Sequence, residues 1–285
     1  MKIAIIVNLT KEKAIMCAGQ IIEVLRAEGA EVILPPDCRA VLAGYGAQFA
    51  DSVEQLFEIA DAAVTVGGDG TIIHAAKFAA QTDTPMIGVN VGRLGFAADV
   101  EINEIGGLKK LVSGEYDTEQ RMLLDISVEA GGRSQHFTAV NDAVVTHGTL
   151  SKIVDFTLFL DNEEISRYRA DGLLFSTPTG STAYSLSAGG PILSPQMDCI
   201  LMTPVCPHSL FSRSVLFSRD ADLSVRVKIP RECSCVLSID GETNIDITEN
   251  DVIHIRRSSL SLTLMSIKKS NFYRKLNEKL KEREF

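Results

Sequence analysis

The segment Gly67-Gly68-Asp69-Gly70-Thr71 carries the sharpest chemical signal in the sequence. It follows the apolar run Val64-Thr65-Val66 and precedes Ile72 to Ala80, whose pattern is helical, so it predicts a strand, a glycine turn and a helix start. Glycines leave backbone N–H groups bare, and such a turn forms an anion-binding concavity reinforced by the positive end of the next helix. Asp69 is the odd residue. A carboxylate beside phosphates is repelled unless it has a task, such as taking a proton from an attacking hydroxyl or holding a metal ion. The alternative is that Asp69 and Thr71 only cap the helix. A Walker A pattern is absent, and Gly44-Tyr45-Gly46 neither leaves a strand nor extends to a full dinucleotide fingerprint. Phosphate binding therefore rests on residues 67–71.

Three further segments have polar residues where ligands bind. The loop Gly88-Val89-Asn90-Val91-Gly92-Arg93-Leu94-Gly95-Phe96 leaves the next strand. Asn90 can bond a ribose or phosphate and Phe96 can close over a base, or the loop is a tight connector with a core phenylalanine. Asn141 and Asp142 sit inside an otherwise apolar strand and must find partners there, for which a nucleoside would serve. The run Asp171 to Ser185, with Thr177-Pro178-Thr179-Gly180-Ser181-Thr182-Ala183-Tyr184 within it, is rich in small donors, and Tyr184 can stack on a ring. Its plainer reading is a Ser/Thr-rich loop.

The elements that must position these residues fall into two textures. Up to about residue 113, short β-branched runs at 2–7, 30–34, 62–66 and 85–89 alternate with helical segments that include 11–28 and 70–81, which predicts parallel strands covered by helices. Each run ends at Gly, Asn or Asp, which places loops at the carboxyl edge, where open α/β sheets bind ligands. Beyond Ser113-Gly114-Glu115 the reading is mainly β, with strands expected at 121–130, 135–146, 153–161, 171–176, 213–217, 223–229, 233–239 and 251–265. Helical spacing returns at 271–282 through Phe272, Leu276 and Leu280, a helix expected to pack on the first domain. Residues 35–50 read as an irregular, mobile flap.

Bulk properties narrow the function class. The formal charge of −9 argues against a surface built for nucleic acid or acidic lipid. The apolar run at residues 3–7 is too short for a membrane span, and no other stretch approaches one, so a cytoplasmic protein is expected. The cysteines at 17, 38, 199, 206, 233 and 235 show no CxxC pair and no zinc spacing, which reads as reduced and mostly buried thiols.

Taken in order, these motifs resemble those of the NAD kinases, over essentially the whole chain. The glycine motif alone is shared with diacylglycerol-type lipid kinases and, more loosely, with phosphofructokinases, whereas the run around Thr177 to Tyr184 is specific to NAD kinases. The resemblance implies an N-terminal Rossmann-like α/β domain over 1–115, joined by a C-terminal helix at 268–285. It also implies a β-rich, β-sandwich-like domain over 116–267, with an active site between the two and assembly as a homodimer or homotetramer. By motif match, Asp69 is the catalytic base for the 2'-hydroxyl of the adenosine ribose. Gly67, Gly68, Gly70 and Thr71 lie against phosphates, and His74 takes a phosphate-contacting position often filled by arginine, unless it is an ordinary structural histidine.

The NAD contacts implied are Asp69, Gly70, His74, Asn90, Phe96, Asn141, Asp142, Lys152, Arg169, Asp171, Thr182, Ala183, Tyr184, Ser185, Leu186, Ser187 and Cys206. Lys152 and Arg169 have an alternative as solvated strand charges. Ser214 stands where the family usually has proline, and Glu242 where it often has glutamine. The activity implied is transfer of the γ-phosphoryl of ATP to NAD. The resemblance also implies a divalent cation, Mg2+, carried mainly by the ATP phosphates, which fits a sequence with no acidic metal cluster. Two other readings are a lipid kinase, which would need a membrane and an apolar acceptor pocket, and a non-catalytic dinucleotide sensor, against which Asp69 counts.

Overall fold

The computed structural model describes residues 1–92, 98–148, 153–209, 212–230, 233–269 and 271–282. The chain divides into two compact units, Met1–Gln120 with Leu262–Phe285, and Arg121–Ser261.

The first unit is α/β. Its elements are β1 (Lys2–Val7), α1 (Glu12–Ala27), β2 (Glu31–Leu34), α2 (Arg39–Leu42), β3 (Gln48–Phe49), α3 (Val53–Ile59), β4 (Ala62–Gly67), α4 (Asp69–Thr82), β5 (Met86–Asn90), β6 (Val100–Glu101) and α5 (Lys109–Ser113). The main strands pair in parallel in the order β3-β2-β1-β4-β5, with β6 beside β5. Connections leave β1 in opposite directions, so the order reverses between β1 and β4. In open α/β sheets the crevice at the carboxyl ends of two such strands is where ligands bind. The central strands β4 and β5 are buried along their whole length and β1 past its first residue, as expected for a sheet covered on both faces. Helix α1 buries Ala14, Cys17, Ala18, Ile21, Ile22 and Leu25, a 3.6-residue stripe, against this sheet. Each fully buried Ile or Leu in it contributes about 1.5–3 kcal/mol. Residues 35–50 do not stand apart as a flap. They form short helical turns and β3, with Cys38 and Leu42 fully buried in the core.

The second unit is antiparallel β. It contains β7 (Asp117–Ala130), β8 (Arg133–Ala139), β9 (Asp142–His147), β10 (Val154–Leu160), β11 (Glu163–Ala170), β12 (Gly172–Ser176), α6 (Tyr184–Ser187), β13 (Cys199–Val205), β14 (Val215–Ser218), β15 (Leu223–Lys228), β16 (Cys235–Ile239) and β17 (Thr243–Ile247), together with most of β18 (Val252–Ser266). One sheet runs β11-β10-β15-β18-β7-β8 and the other β14-β13-β12-β9-β16-β17. Their inner faces share one core that includes Leu124, Ile126, Phe156, Leu158, Phe175, Met202 and Val225, which makes the unit a sandwich. Strand β18 continues past residue 261, and there Leu264 pairs in parallel with Met86 of β5. The last helix is α7 (Phe272–Glu282), in which Leu276 is buried.

The structure departs from the expected single strand over 135–146. Strands β8 and β9 are separate, and they belong to different sheets, so the chain crosses the sandwich at Val140-Asn141. A crossing frees backbone N–H groups from both ladders, and here they are recovered by one side chain. Asp240 accepts the N–H of Val140 at 3.0 Å, of Asn141 at 2.7 Å and of Asp142 at 3.1 Å. Strand β11 escaped the apolar pattern because it is a charged, exposed edge strand. It is joined to β10 by Asp161-Asn162, both in the left-handed conformation that a two-residue hairpin requires. Strands β13 and β17 were likewise not expected.

Candidate active site

In the first unit, the loops after β1, β4 and β5 are tied to one another at the carboxyl edge. The N–H of Asn8 bonds the Val66 carbonyl at 2.9 Å, and the N–H of Val91 bonds the Gly67 carbonyl at 2.9 Å. Gly67 belongs there for steric reasons, since a methyl group on it would lie 2.1 Å from Thr71 Oγ1. Gly70 is different. A methyl group there would meet nothing within 4 Å, so packing does not require glycine at this position. Asp69 is the first residue of α4, half-buried, and no side chain caps that helix. Asp69 therefore stands at the positive end of a 14-residue dipole, beside the glycine turn, at the switch point of the sheet.

Other expected members of this site behave differently. Asn90 is buried and inward-facing: its Nδ2 donates to the Glu101 carboxylate at 3.2 and 3.3 Å, and its Oδ1 accepts from Gly92 N–H at 3.1 Å. The amide thus holds its own loop. His74 is exposed and lies edge-on to Phe78, with ring centroids 5.8 Å apart. Five residues of helix carry it about 7.5 Å along and about 140° around the axis from Asp69, away from the N-terminal turn. Phe96 and Lys152 lie outside the described residues.

In the second unit, Asn141 and Asp142 line a cavity of about 340 Å3 with Val144, Thr146, Ala183, Tyr184, Ser238, Asp240 and Gly241. Tyr184 is 47% exposed, so its ring is available at the mouth. Asp142 is only 6% exposed, and its carboxyl is pushed up from 3.8 to about 7, first by burial and then by the charge of Asp240. Ser176, opposite Asp142 across the β9–β12 ladder, and Thr179 both bury a hydroxyl with no hydrogen-bond partner among the described residues. Such orphaned donors suit a polar ligand.

The Ser/Thr-rich run is mostly architecture. Thr177 Oγ1 donates to the Val140 carbonyl at 2.7 Å, Ser181 Oγ to the Pro178 carbonyl at 2.7 Å and Thr182 Oγ1 to the Thr179 carbonyl at 3.3 Å. A methyl group on Gly180 would lie 2.1 Å from the Asn141 carbonyl oxygen, so this loop is pressed against the residue it positions. Ser185 is fully buried, its hydroxyl 3.2 Å from Thr203 Oγ1, which in turn lies 3.1 Å from Ser214 Oγ. The hydroxyl that replaces the family's usual proline at 214 completes this chain. Leu186 and Ser187 follow on the outer side of α6.

Arg169, Asp171 and Cys206 are not brought to the cavity. The ladder pairs Asp142 with Ser176 and Thr146 with Gly172, which places Asp171 about 17 Å along the strands from Asp142. Asp171 lies 3.9 Å from His147 Nε2, and Arg169 is 72% exposed and ion-paired with Asp155 at 3.2 Å. Cys206 is exposed in a left-handed conformation, beside Val205, which pairs with Gly172. The cysteines are free thiols, and burial pushes those of Cys38 and Cys235 up to about 12. A second hollow of about 460 Å3 is lined by Arg219, Asp222 and Arg256, but these arginines already hold carboxylates, Arg256 on Asp222 and Arg219 on Asp198.

Residues 3–116 match the ATP-NAD kinase N-terminal domain, and residues 140–267 match the ATP-NAD kinase C-terminal domain. The chain belongs to the NAD kinase family. Its activity is that of a phosphotransferase. It is 36% identical to the NAD kinase of Moorella thermoacetica over 282 residues, covering 99% of this chain and 89% of the relative. It is also 36% identical to the NAD kinase of Thermoanaerobacter sp. strain X514, covering 99% of each. Among solved structures, yeast NADH kinase complexed with NADH matches at 25% identity and a TM-score of 0.88, covering 98% of this chain and 87% of that one. An NAD kinase from Archaeoglobus fulgidus in complex with ATP matches at 25% identity and a TM-score of 0.77, covering 99% of both. Contributors to the cavity that sequence reasoning missed include Thr146, Ser238, Gly241 and Asp240, the last visible only within Asp240-Gly241-Glu242. The available signal was an Asp-Gly pair between two strands, which marks a turn able to aim a carboxylate at nearby N–H groups.

Proposed function

We propose that this protein transfers the γ-phosphoryl group of ATP to the 2'-hydroxyl of the adenosine ribose of NAD, giving NADP and ADP. The observation that carries the reading is Asp69 at the head of α4, beside a glycine turn at the switch point of the sheet. ATP enters as its Mg2+ complex, the cation held chiefly by phosphate oxygens. The glycine turn and the N-terminus of α4 receive the phosphates, with Gly67, Gly68, Gly70 and Thr71 against them. Asp69 accepts the proton of the attacking hydroxyl as the γ-phosphorus–oxygen bond to the β-phosphate breaks in line. In the second unit, the cavity of Asn141, Asp142, Ala183 and Tyr184 takes the nucleoside. A carboxyl there that titrates near neutrality can either donate to or accept from a ribose or base. Arg169, Asp171 and Cys206 serve the other end of the dinucleotide in this reading, and the enzyme works in the cytoplasm as a homodimer or homotetramer.

The test is purified protein with Mg-ATP and NAD, coupled to an NADP-specific dehydrogenase, with diacylglycerol as a competing acceptor. NADP should form, diacylglycerol should not be phosphorylated, and Asp69→Asn should lose about 10²–10⁴ of turnover with NAD affinity little changed. Near-normal turnover in that variant would remove Asp69 from the role of base.

A further inference from the structure

We propose that Lys11 is a phosphate-contacting residue of this site, its ammonium holding the terminal phosphoryl groups of the donor against the glycine turn; this rests on the kinase reading above. Lys11 ends the loop after β1, and its Nζ reaches across the switch point. A methyl group built on Gly68 would lie 3.7 Å from Lys11 Nζ, and one built on Gly92 would lie 3.4 Å from it. The ammonium therefore sits against the bare backbone of both the β4 and β5 loops. Among the described residues no hydrogen bond or ion pair engages Lys11 Nζ, and no side chain caps either α1 or α4.

A cation at a helix N-terminus is unfavourable because the dipole there is already positive. Here an ammonium carried by the N-cap residue of α1 lies beside the N-terminus of α4, whose N-cap is Gly68. Glu12 and Asp69 in the first turns offset part of this, yet neither pairs with Lys11. A triphosphate tail meets the unbalanced positive potential and gains a mobile, strongly hydrated point charge suited to phosphate. The loop is built to present it. Asn8 Oδ1 accepts from Thr10 N–H at 3.1 Å and from Thr10 Oγ1 at 2.6 Å, and Lys11 N–H donates to the Asn8 carbonyl at 3.1 Å. Asn8 Nδ2 also approaches Thr71 Oγ1 at 3.5 Å, linking this turn to the phosphate motif.

The experiment compares wild type, Lys11→Ala, Lys11→Arg and the neighbouring Lys13→Ala in steady-state kinetics and in calorimetric titration with Mg-ATP. Loss of one charge-assisted contact should raise KM for ATP and its dissociation constant roughly tenfold or more in Lys11→Ala. KM for NAD should stay within about twofold, Lys11→Arg should recover part of the loss, and Lys13→Ala should match wild type. A Lys11→Ala protein that melts like wild type and binds and uses ATP like wild type overturns the proposal. If wild type binds Mg-ATP in a Lys11-dependent way but forms no NADP, the phosphate contact stands and the acceptor reading falls. If wild type does not bind Mg-ATP at all, the contact falls as well.

Discussion

Asp142 lines the cavity of the second unit at a cost to the fold. Its carboxyl is buried in the second unit, faces Asp240 and titrates near 7, where an exposed aspartate would titrate at 3.8. The folded state thus prefers the protonated form. That preference is fully present below about pH 3.8, is lost as pH rises through about 7, and above that pH the buried charge is a constant cost. A rise from 3.8 to about 7 corresponds to at most about 4 kcal/mol. Asp142→Asn should therefore be more stable than wild type at pH 8, with the difference shrinking on acidification and vanishing near pH 4. Thermal melts across that range decide it; a pH-independent difference would mean that Asp142 is charged or solvated in the fold. The sequence showed a polar pair inside an apolar strand at Asn141-Asp142. It did not show the charge partner, because Asp240 is almost a hundred residues away.

At the scale of elements, periodicity revealed what periodicity governs. Strands β1, β2, β4 and β5 and helices α1 and α4 are buried on a regular face, and their expected limits agree with the structure to within a residue or two. Strand β11 is dominated by charged, exposed residues, and β17 is five residues long with only Ile245 and Ile247 to mark an apolar period. The run 135–146 looked continuous because both β8 and β9 face the same core, although they sit in opposite sheets. What divides them is Asp240, in the left-handed conformation with φ of 52° and with three backbone N–H groups on its carboxylate. Asp240→Asn, which tolerates that conformation and keeps the acceptor for Asn141 and Asp142 but sets an NH2 against the N–H of Val140, should cost less than removal of the side chain. Asp240→Ala leaves the N–H groups unanswered and strains the turn, and should cost about 3 kcal/mol or more in denaturant unfolding. Equal stabilities for the two variants would show that the crossing does not depend on the carboxylate.

At the scale of the molecule, the two textures of the sequence became two units, while the route of the chain between them was not legible. No local pattern announces that β18 serves the second unit along most of its length and then donates Leu264 to the sheet of the first. The same stretch contributes Met265 and Ile267 to the first core, and Asp99 accepts the Ile267 N–H at 3.1 Å. Lys110 Nζ donates to the Ile267 carbonyl at 3.0 Å. A protein ending at residue 261 should therefore retain the antiparallel core but lose cooperative melting of the α/β unit. Amide exchange should show β5 unprotected while β12 and β13 remain protected; protection of both would refute the dependence.

The closing strand also sets an order of events during synthesis. The amino-terminal half leaves the ribosome first, but the segment that completes its sheet is made last. Until residues near 264 emerge, Met86 and its neighbours on β5 present an open ladder and an unfinished apolar layer. A nascent chain of this protein therefore passes through translation with its α/β half still waiting, an interval in which chaperone capture and strand-pairing errors will concentrate.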